Sequence, residues 1–217
     1  MKRFRAFAVL AAVVGLTAAG PCAEAAPALF GTSEVARTNL KPFPKWTGAL
    51  EKYFAEKKKT DGSCESTDFN ACHYRQWAEF IAGLEGMDLN KILTEVNRFM
   101  NRRKYIVDPV NWGVKDYWES PSEFFSRFGD CEDYAIAKYL TLRRLGIPPE
   151  RMRIVILKDL NLKVLHAVLA VYLDGGRIAI LDNQLSIVVD SKRIRHYRPI
   201  YSVNENGWWK HKARRAK

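Results

Sequence analysis

The run from Asp130 to Gly146, DCEDYAIAKYLTLRRLG, constrains the fold more than any other part of this chain. Asp130 is a good helix cap, and Gly146 followed by Pro148 and Pro149 reads as the stop. Between them Tyr134, Ala135, Ile136, Ala137, Tyr139, Leu140, Leu142 and Leu145 occupy most of the helix circumference. A helix that is apolar on nearly every side must be packed on several sides, so this one is central to the fold. Cys131 falls in its first turn. Free backbone amides and the positive end of the macrodipole there favour a thiolate over a thiol, the condition for a nucleophilic cysteine.

The N-terminus carries Lys2, Arg3 and Arg5, an apolar run from Ala6 to about Ala19, and then Ala23-Glu24-Ala25, a small-x-small pattern. This predicts a signal peptide over residues 1–25, cleaved after Ala25, and export to an oxidising compartment. A membrane anchor needs about 20 apolar residues, more than this run offers, so no transmembrane segment is expected after cleavage. Loss of three basic residues and one acidic residue takes the formal charge from +11 to +9. Nucleic acid is excluded as a partner by export, leaving acidic protein surfaces or anionic lipid. Cys22 leaves with the signal peptide, and Cys64, Cys72 and Cys131 remain. An odd count in an oxidising compartment leaves one thiol unpaired. Cys64 and Cys72 flank a short polar loop and form the natural disulfide, so Cys131 is the free thiol.

Roughly 190 residues remain of a chain with 47% hydrophobic content over its full length, enough to bury one core, and no linker or repeat divides them. The reading is an extended leader over 26–44, one domain over 45–208 and a basic tail over 209–217. Helical spacing of apolar residues marks 45–58, 71–85 and 89–103. Past the Cys131 helix the texture turns to β-branched runs, Met152–Leu157, Val164–Leu173, Arg177–Asp182 and Arg198–Val203. The fold class is therefore α+β, a helical first half with the cysteine helix packed on an antiparallel sheet.

The segment KVLHAVLAVYLDGGRIAILDNQ reads as a hairpin turning at Asp174-Gly175-Gly176. Opposed residues have numbers with a constant sum. A turn centred on Asp174 sets His166 against Asp182, and one centred on Gly175 sets Asp182 against Val168, diagonal to His166 on the same face. A turn with an odd sum brings Asn183 opposite His166 instead. His166 sits among apolar neighbours and needs a buried hydrogen-bonding partner. Cys131, His166 and Asp182 together supply nucleophile, general base and orienting group for acyl transfer through a thioester.

The stretch YWESPSEFFSRFGDCEDYAIAKYLTLRRLG, followed by HAVLAV and ILDN, resembles the bacterial transglutaminase-like cysteine proteinases of the periplasmic LapG type. The resemblance spans nearly the whole mature chain and is strongest from Trp118 to Asp182. It implies a papain-like/transglutaminase-like fold with Cys131, His166 and Asp182 on the triad positions. It also implies calcium-dependent cleavage of a large surface adhesin near its N-terminal region, control of biofilm attachment, and sequestration by an inner-membrane receptor for cyclic di-GMP.

In that family the acids flanking the nucleophile belong to the calcium site, and Asp130 and Glu132 stand there. Read alone they are equally first-turn acids complementing a helix dipole. Beside Cys131 they oppose its ionisation, and a shared hard cation, with Asp133 as a further candidate ligand, would neutralise them. The Cys131 amide is the expected first oxyanion donor, and the second is left open among Trp118, Trp112 and another group. A protein-crosslinking transglutaminase using the same triad and a non-catalytic periplasmic binding module are the alternative functions.

Overall fold

The computed structural model describes residues 28–56 and 62–213, so the expected signal peptide and the last residues of the expected tail lie outside the described residues. The helices are α1 (Pro44–Glu56), α2 (Ala71–Ala82), α3 (Leu89–Asn101), α4 (Asp108–Asn111), α5 (Pro121–Arg127) and α6 (Cys131–Arg144). The strands are β1 (Ser33–Arg37), β2 (Met152–Asp159), β3 (Leu165–Leu173), β4 (Arg177–Leu181), β5 (Val189–Asp190), β6 (Tyr197–Asn204) and β7 (Gly207–Lys212). They form one antiparallel sheet in the order β1-β7-β6-β2-β3-β4-β5. No described helix is long and apolar enough to cross a membrane.

The apolar circumference of α6 explains its position. Ile136, Tyr139, Leu140 and Leu142 are buried in a core shared with α1, α2, α3 and α5 on one side and the sheet on the other. Two indole donors tie that core together: Trp77 Nε1 donates to Thr141 Oγ1 of α6 at 2.8 Å, and Trp46 Nε1 to the Asn204 carbonyl of β6 at 3.0 Å. Because strand side chains alternate, the sheet has a second face. Leu169 and Val171 of β3 point to the helices, while Val168 and Ala170 join Ile178, Ile180 and Tyr197 in a smaller core behind the sheet. His166 has the parity of this second set.

The two ends of the chain depart from expectation. The stretch expected as an extended leader contains β1, and the first residues of the expected basic tail form β7, its antiparallel partner. Alternation accounts for both: Lys210 and Lys212 are exposed, whereas His211 between them is buried. His211 ties β7 to β6 and to the residue just ahead of β1, with Nδ1 at 3.0 Å from Thr32 Oγ1 and Nε2 at 2.9 Å from Ser202 Oγ. Beside it Arg153 of β2 pairs with Glu34 of β1 at 2.6 Å.

Burial lowers the pKa of His211 from its ordinary 6.5, with Glu34 opposing the shift and Arg153 adding to it. The folded state therefore prefers the neutral ring. Its contribution to stability is present above about pH 6.5 and is lost as pH falls through the depressed folded value. In melting curves from about pH 8 to pH 5, the wild type is expected to lose up to about 1.4 kcal/mol per pH unit more than His211→Gln over that window. Parallel curves for the two proteins would show that the ring carries no linkage.

Candidate active site

The start of α6 is set by what precedes it. A capping box opens α5, in which the Ser120 amide donates to Glu123 Oε2 at 2.8 Å while Ser120 Oγ accepts from the Glu123 amide. The helix ends at Phe128 and the chain turns through Gly129 into α6. Asp133, fully buried in the first turn, reaches back with both oxygens: Oδ2 accepts from the Asp130 amide at 2.9 Å and Oδ1 from the Glu119 amide at 2.8 Å. Any β-carbon at position 129 would overlap the Asp133 carboxylate, so this turn requires glycine. Gly129→Ala is expected to cost about 1–3 kcal/mol, the range for forced overpacking. Thermal denaturation checks it, and an unchanged melting temperature would show that the turn relaxes freely.

This turn places Cys131 at the head of α6, which packs on β3, the strand of His166. The strand partner arrives by register. β3 and β4 pair with Leu169 opposite Leu181 and Tyr172 opposite Ile178, which centres the turn on Gly175. His166 and Asp182 are then diagonal neighbours, and His166 Nε2 lies 2.9 Å from Asp182 Oδ1. Asn183 is not the partner. Asp182 is fully buried and accepts two further bonds, from the Gln184 amide at 2.8 Å and the Tyr197 hydroxyl at 2.6 Å. Burial pushes its carboxyl up, but the His166 and Tyr197 bonds, the His166 charge and the Gln184 amide prevail and hold it below the usual carboxylate range. An ionised Asp182 makes Nε2 the donor and leaves Nδ1 as the basic nitrogen.

The cysteine itself is not poised as the helix terminus alone would have it. Among the described residues its hydrogen-bond partner is Glu132 Oε2, at 3.1 Å, and not His166. Burial, the Glu132 charge and hydrogen bond, and Asp130 push the thiol far above its ordinary range, against the Ala167 amide. Burial and the flanking carboxylates thus hold the thiol protonated despite its place at the head of a helix, and the arrangement calls for a neutralising charge.

The candidates for holding one extend beyond Asp130 and Glu132. Carboxylate oxygens of Asp108, Asp116 and Glu132 lie within 4.8 Å of one another, as do those of Asp108, Asp130 and Asp133. Burial, then the charges of Asp130 and Asp116, raises Asp108 to about 6 against the Tyr117 amide and Lys45. Burial, then Glu132, raises Asp130 to about 8. Asp108 Oδ1 and Asp130 Oδ1 are both buried without a hydrogen-bond partner. An oxygen-only set with repelling charges and orphaned oxygens is the donor chemistry of a hard divalent cation. Sequence reasoning missed Asp108 and Asp116, whose spacing from Cys131 carries no signal. It also missed Tyr197, whose strand was legible but whose reach to Asp182 was not.

The indole of Trp112 is already committed, donating from Nε1 to the buried Glu119 at 2.6 Å. Cys64, in the loop ahead of α2, and Cys72, in the first turn of that helix, are joined in a disulfide, and Cys131 is the free thiol.

The sequence profile described as bacterial transglutaminase-like cysteine proteinase matches residues 62–215. Among solved structures, calcium-bound Legionella pneumophila LapG is similar at 32% identity and a TM-score of 0.61, covering 74% of this chain and 87% of that one. EGTA-treated LapG of the same organism matches at 31% identity and a TM-score of 0.60, covering 75% of this chain and 84% of that one. No curated protein sequence matches.

Proposed function

Because this chain belongs to the bacterial transglutaminase-like cysteine proteinases, we propose that it is a calcium-dependent cysteine endopeptidase of the periplasm. Its substrate in this reading is a large cell-surface adhesin, cut near the N-terminal region so that the adhesin is released and attachment ends. The observation that carries the catalytic assignment is the buried, ionised Asp182 bonded to His166 Nε2, with the free thiol of Cys131 at the head of α6, the helix that packs on the His166 strand. His166 Nδ1 takes the thiol proton as sulfur attacks the scissile carbonyl, and returns it to the leaving amine as the thioester forms. Water, deprotonated by the same nitrogen, then breaks the thioester and releases the acid. Asp182 keeps the ring in the tautomer that makes Nδ1 the base, and Tyr197 and the Gln184 amide keep Asp182 in place.

Asp108, Asp116, Asp130 and Glu132 are the residues that would hold the calcium. Bound there, the ion would offset the negative charge that opposes ionisation of Cys131. Support for this ion comes from the orphaned oxygens of Asp108 and Asp130 and from the likeness to LapG in its calcium-bound form. Export is supported by the basic-apolar-small order of residues 1–25 and by the Cys64–Cys72 disulfide. Control by an inner-membrane cyclic di-GMP receptor that sequesters the enzyme completes the reading.

The test is incubation of the purified protein, in calcium, with the N-terminal region of a large repeat adhesin from the same organism and with a fluorescent amine. Discrete cleavage without amine incorporation is expected. Incorporation without cleavage would make the protein a transglutaminase, and neither activity would leave it a binding module.

A further inference from the structure

The acids that would hold calcium come from two stretches of chain, and one buried residue joins them. Asp108 opens α4 and Asp116 follows it in the next loop, whereas Asp130 and Glu132 stand at the head of α6. The first stretch is closed on itself. The Tyr117 amide donates to Asp108 Oδ2 at 2.6 Å, and the rings of Trp112 and Tyr117 lie 4.4 Å apart. That bond leaves Asp108 Oδ1 as the oxygen without a partner. Yet α4 is a single turn of four residues, and so short a helix has too little stability of its own to hold a carboxylate against another element.

The hold is supplied by Glu119, which is fully buried. Its Oε1 accepts from Asn111 Nδ2 at 2.9 Å and from Trp112 Nε1 at 2.6 Å, the last residue of α4 and the one after it. Its backbone amide donates to Asp133 Oδ1 at 2.8 Å, and the other oxygen of Asp133 accepts from the Asp130 amide at 2.9 Å. Glu119 thus grips the Asp108–Asp116 stretch by its side chain and the first turn of α6 by its backbone. Asn111 adds a second hold on the same junction, donating to the Phe128 carbonyl where α5 ends. Burying a carboxyl group for this purpose is costly, and Glu119 Oε2 has no hydrogen-bond partner.

On the reading that these acids bind calcium, we infer that Glu119 is a positioning residue for the ion, holding the Asp108–Asp116 stretch against the head of α6 so that carboxylates from both face one cation. Glu119 is not itself a ligand in this arrangement. Among the described residues, the groups of carboxylates close enough to share an ion do not include it. Its role is that of the hydrogen-bonding partners behind metal ligands, which fix where the ligand oxygens point.

Calcium titration calorimetry, with melting curves in calcium and in EGTA, tests this without any substrate. Glu119→Ala is expected to weaken calcium binding by at least about tenfold, the lower end for groups behind metal ligands. The rise in melting temperature on adding calcium should shrink accordingly. Glu119→Gln keeps an oxygen for Asn111 and Trp112 and should bind calcium within about threefold of wild type. Trp112→Phe keeps a ring against Tyr117 and removes one donor to Glu119, so it should bind about threefold more weakly. That variant decides the matter if Glu119→Ala does not fold. Wild-type affinity in folded Glu119→Ala, or in Trp112→Phe, would overturn the inference. So would an equal fall in melting temperature in calcium and in EGTA, which would mark Glu119 as structural. Glu119→Gln binding as weakly as Glu119→Ala would overturn it too, because the charge and not the held geometry would then matter. A wild type that binds no calcium would end the calcium assignment itself, whereas wild-type binding with unaltered variants would remove only the role of Glu119.

Discussion

Cys131→Ala is expected to abolish cleavage, with kcat falling by at least about 10⁴-fold, while the protein folds as before. The change removes the nucleophilic sulfur and little else. The helix cap, the Asp133 bonds to the Asp130 and Glu119 amides and the His166–Asp182 pair make no use of that sulfur. His166→Ala should silence the enzyme to a similar degree but at a structural cost of about 1–3 kcal/mol, because it strips a buried, ionised Asp182 of one of its donors. Circular dichroism and melting curves for both variants, beside a cleavage assay, separate the two effects. Retained proteolysis by folded Cys131→Ala would end the thioester mechanism.

Calcium removal is the second large effect. In EGTA the wild type is expected to lose at least about 100-fold in activity and to melt lower, both being restored by excess calcium. Asp108→Ala and Glu132→Ala should weaken the calcium response, whereas Asp68→Ala, an exposed acid on the polar loop, should not. Acidification supplies a further signature. The folded-state pKa values of Asp108 and Asp130 are raised, to about 6 and about 8. Without the ion, their contribution to stability is complete below the ordinary carboxylate value and is lost as pH rises through the raised values. Wild-type protein in EGTA should therefore gain stability from these acids as pH falls from about 8 toward 4. Protein in calcium should not show that gain, since protons compete with the ion for the same oxygens. Equal melting temperatures and activities with and without EGTA would reduce Asp130 and Glu132 to helix-terminal acids.

Much of this was legible before any coordinates. The periodicity of α1, α2, α3 and α6 and the β-branched runs of β2, β3, β4 and β6 locate the main elements to within a few residues. Local rules suffice where an element carries its own burial pattern. They fail for α4 and α5, which are short, and for β1 and β7, whose exposed lysines and arginine hide strands that form by pairing, β7 between β6 and β1 and β1 on β7. The hairpin shows the boundary between the two kinds of knowledge. Arithmetic on the sequence narrows the partner of His166 to Asp182 or Asn183. The turn decides between them, because Gly175 and Gly176 both take positive φ, a conformation open to glycine at little cost, and this centres the pairing on Gly175.

What the sequence by itself determined is the chemistry available to the chain: one unpaired thiol at the head of a buried helix, a histidine inside an apolar strand, a carboxylate or amide at hairpin distance and two acids beside the thiol. Each follows from a local period or a short loop, over which the backbone leaves few choices. Only the tertiary structure decided how those groups are charged. Asp108 and Asp116 come from a separate stretch to crowd Glu132, Tyr197 crosses from β6 to Asp182, and α6 packs with the thiol of Cys131 at its head on the strand of His166. Charge interactions in a poorly solvated interior depend on distance through space, and neighbours in space are set by packing, to which spacing along the chain is blind.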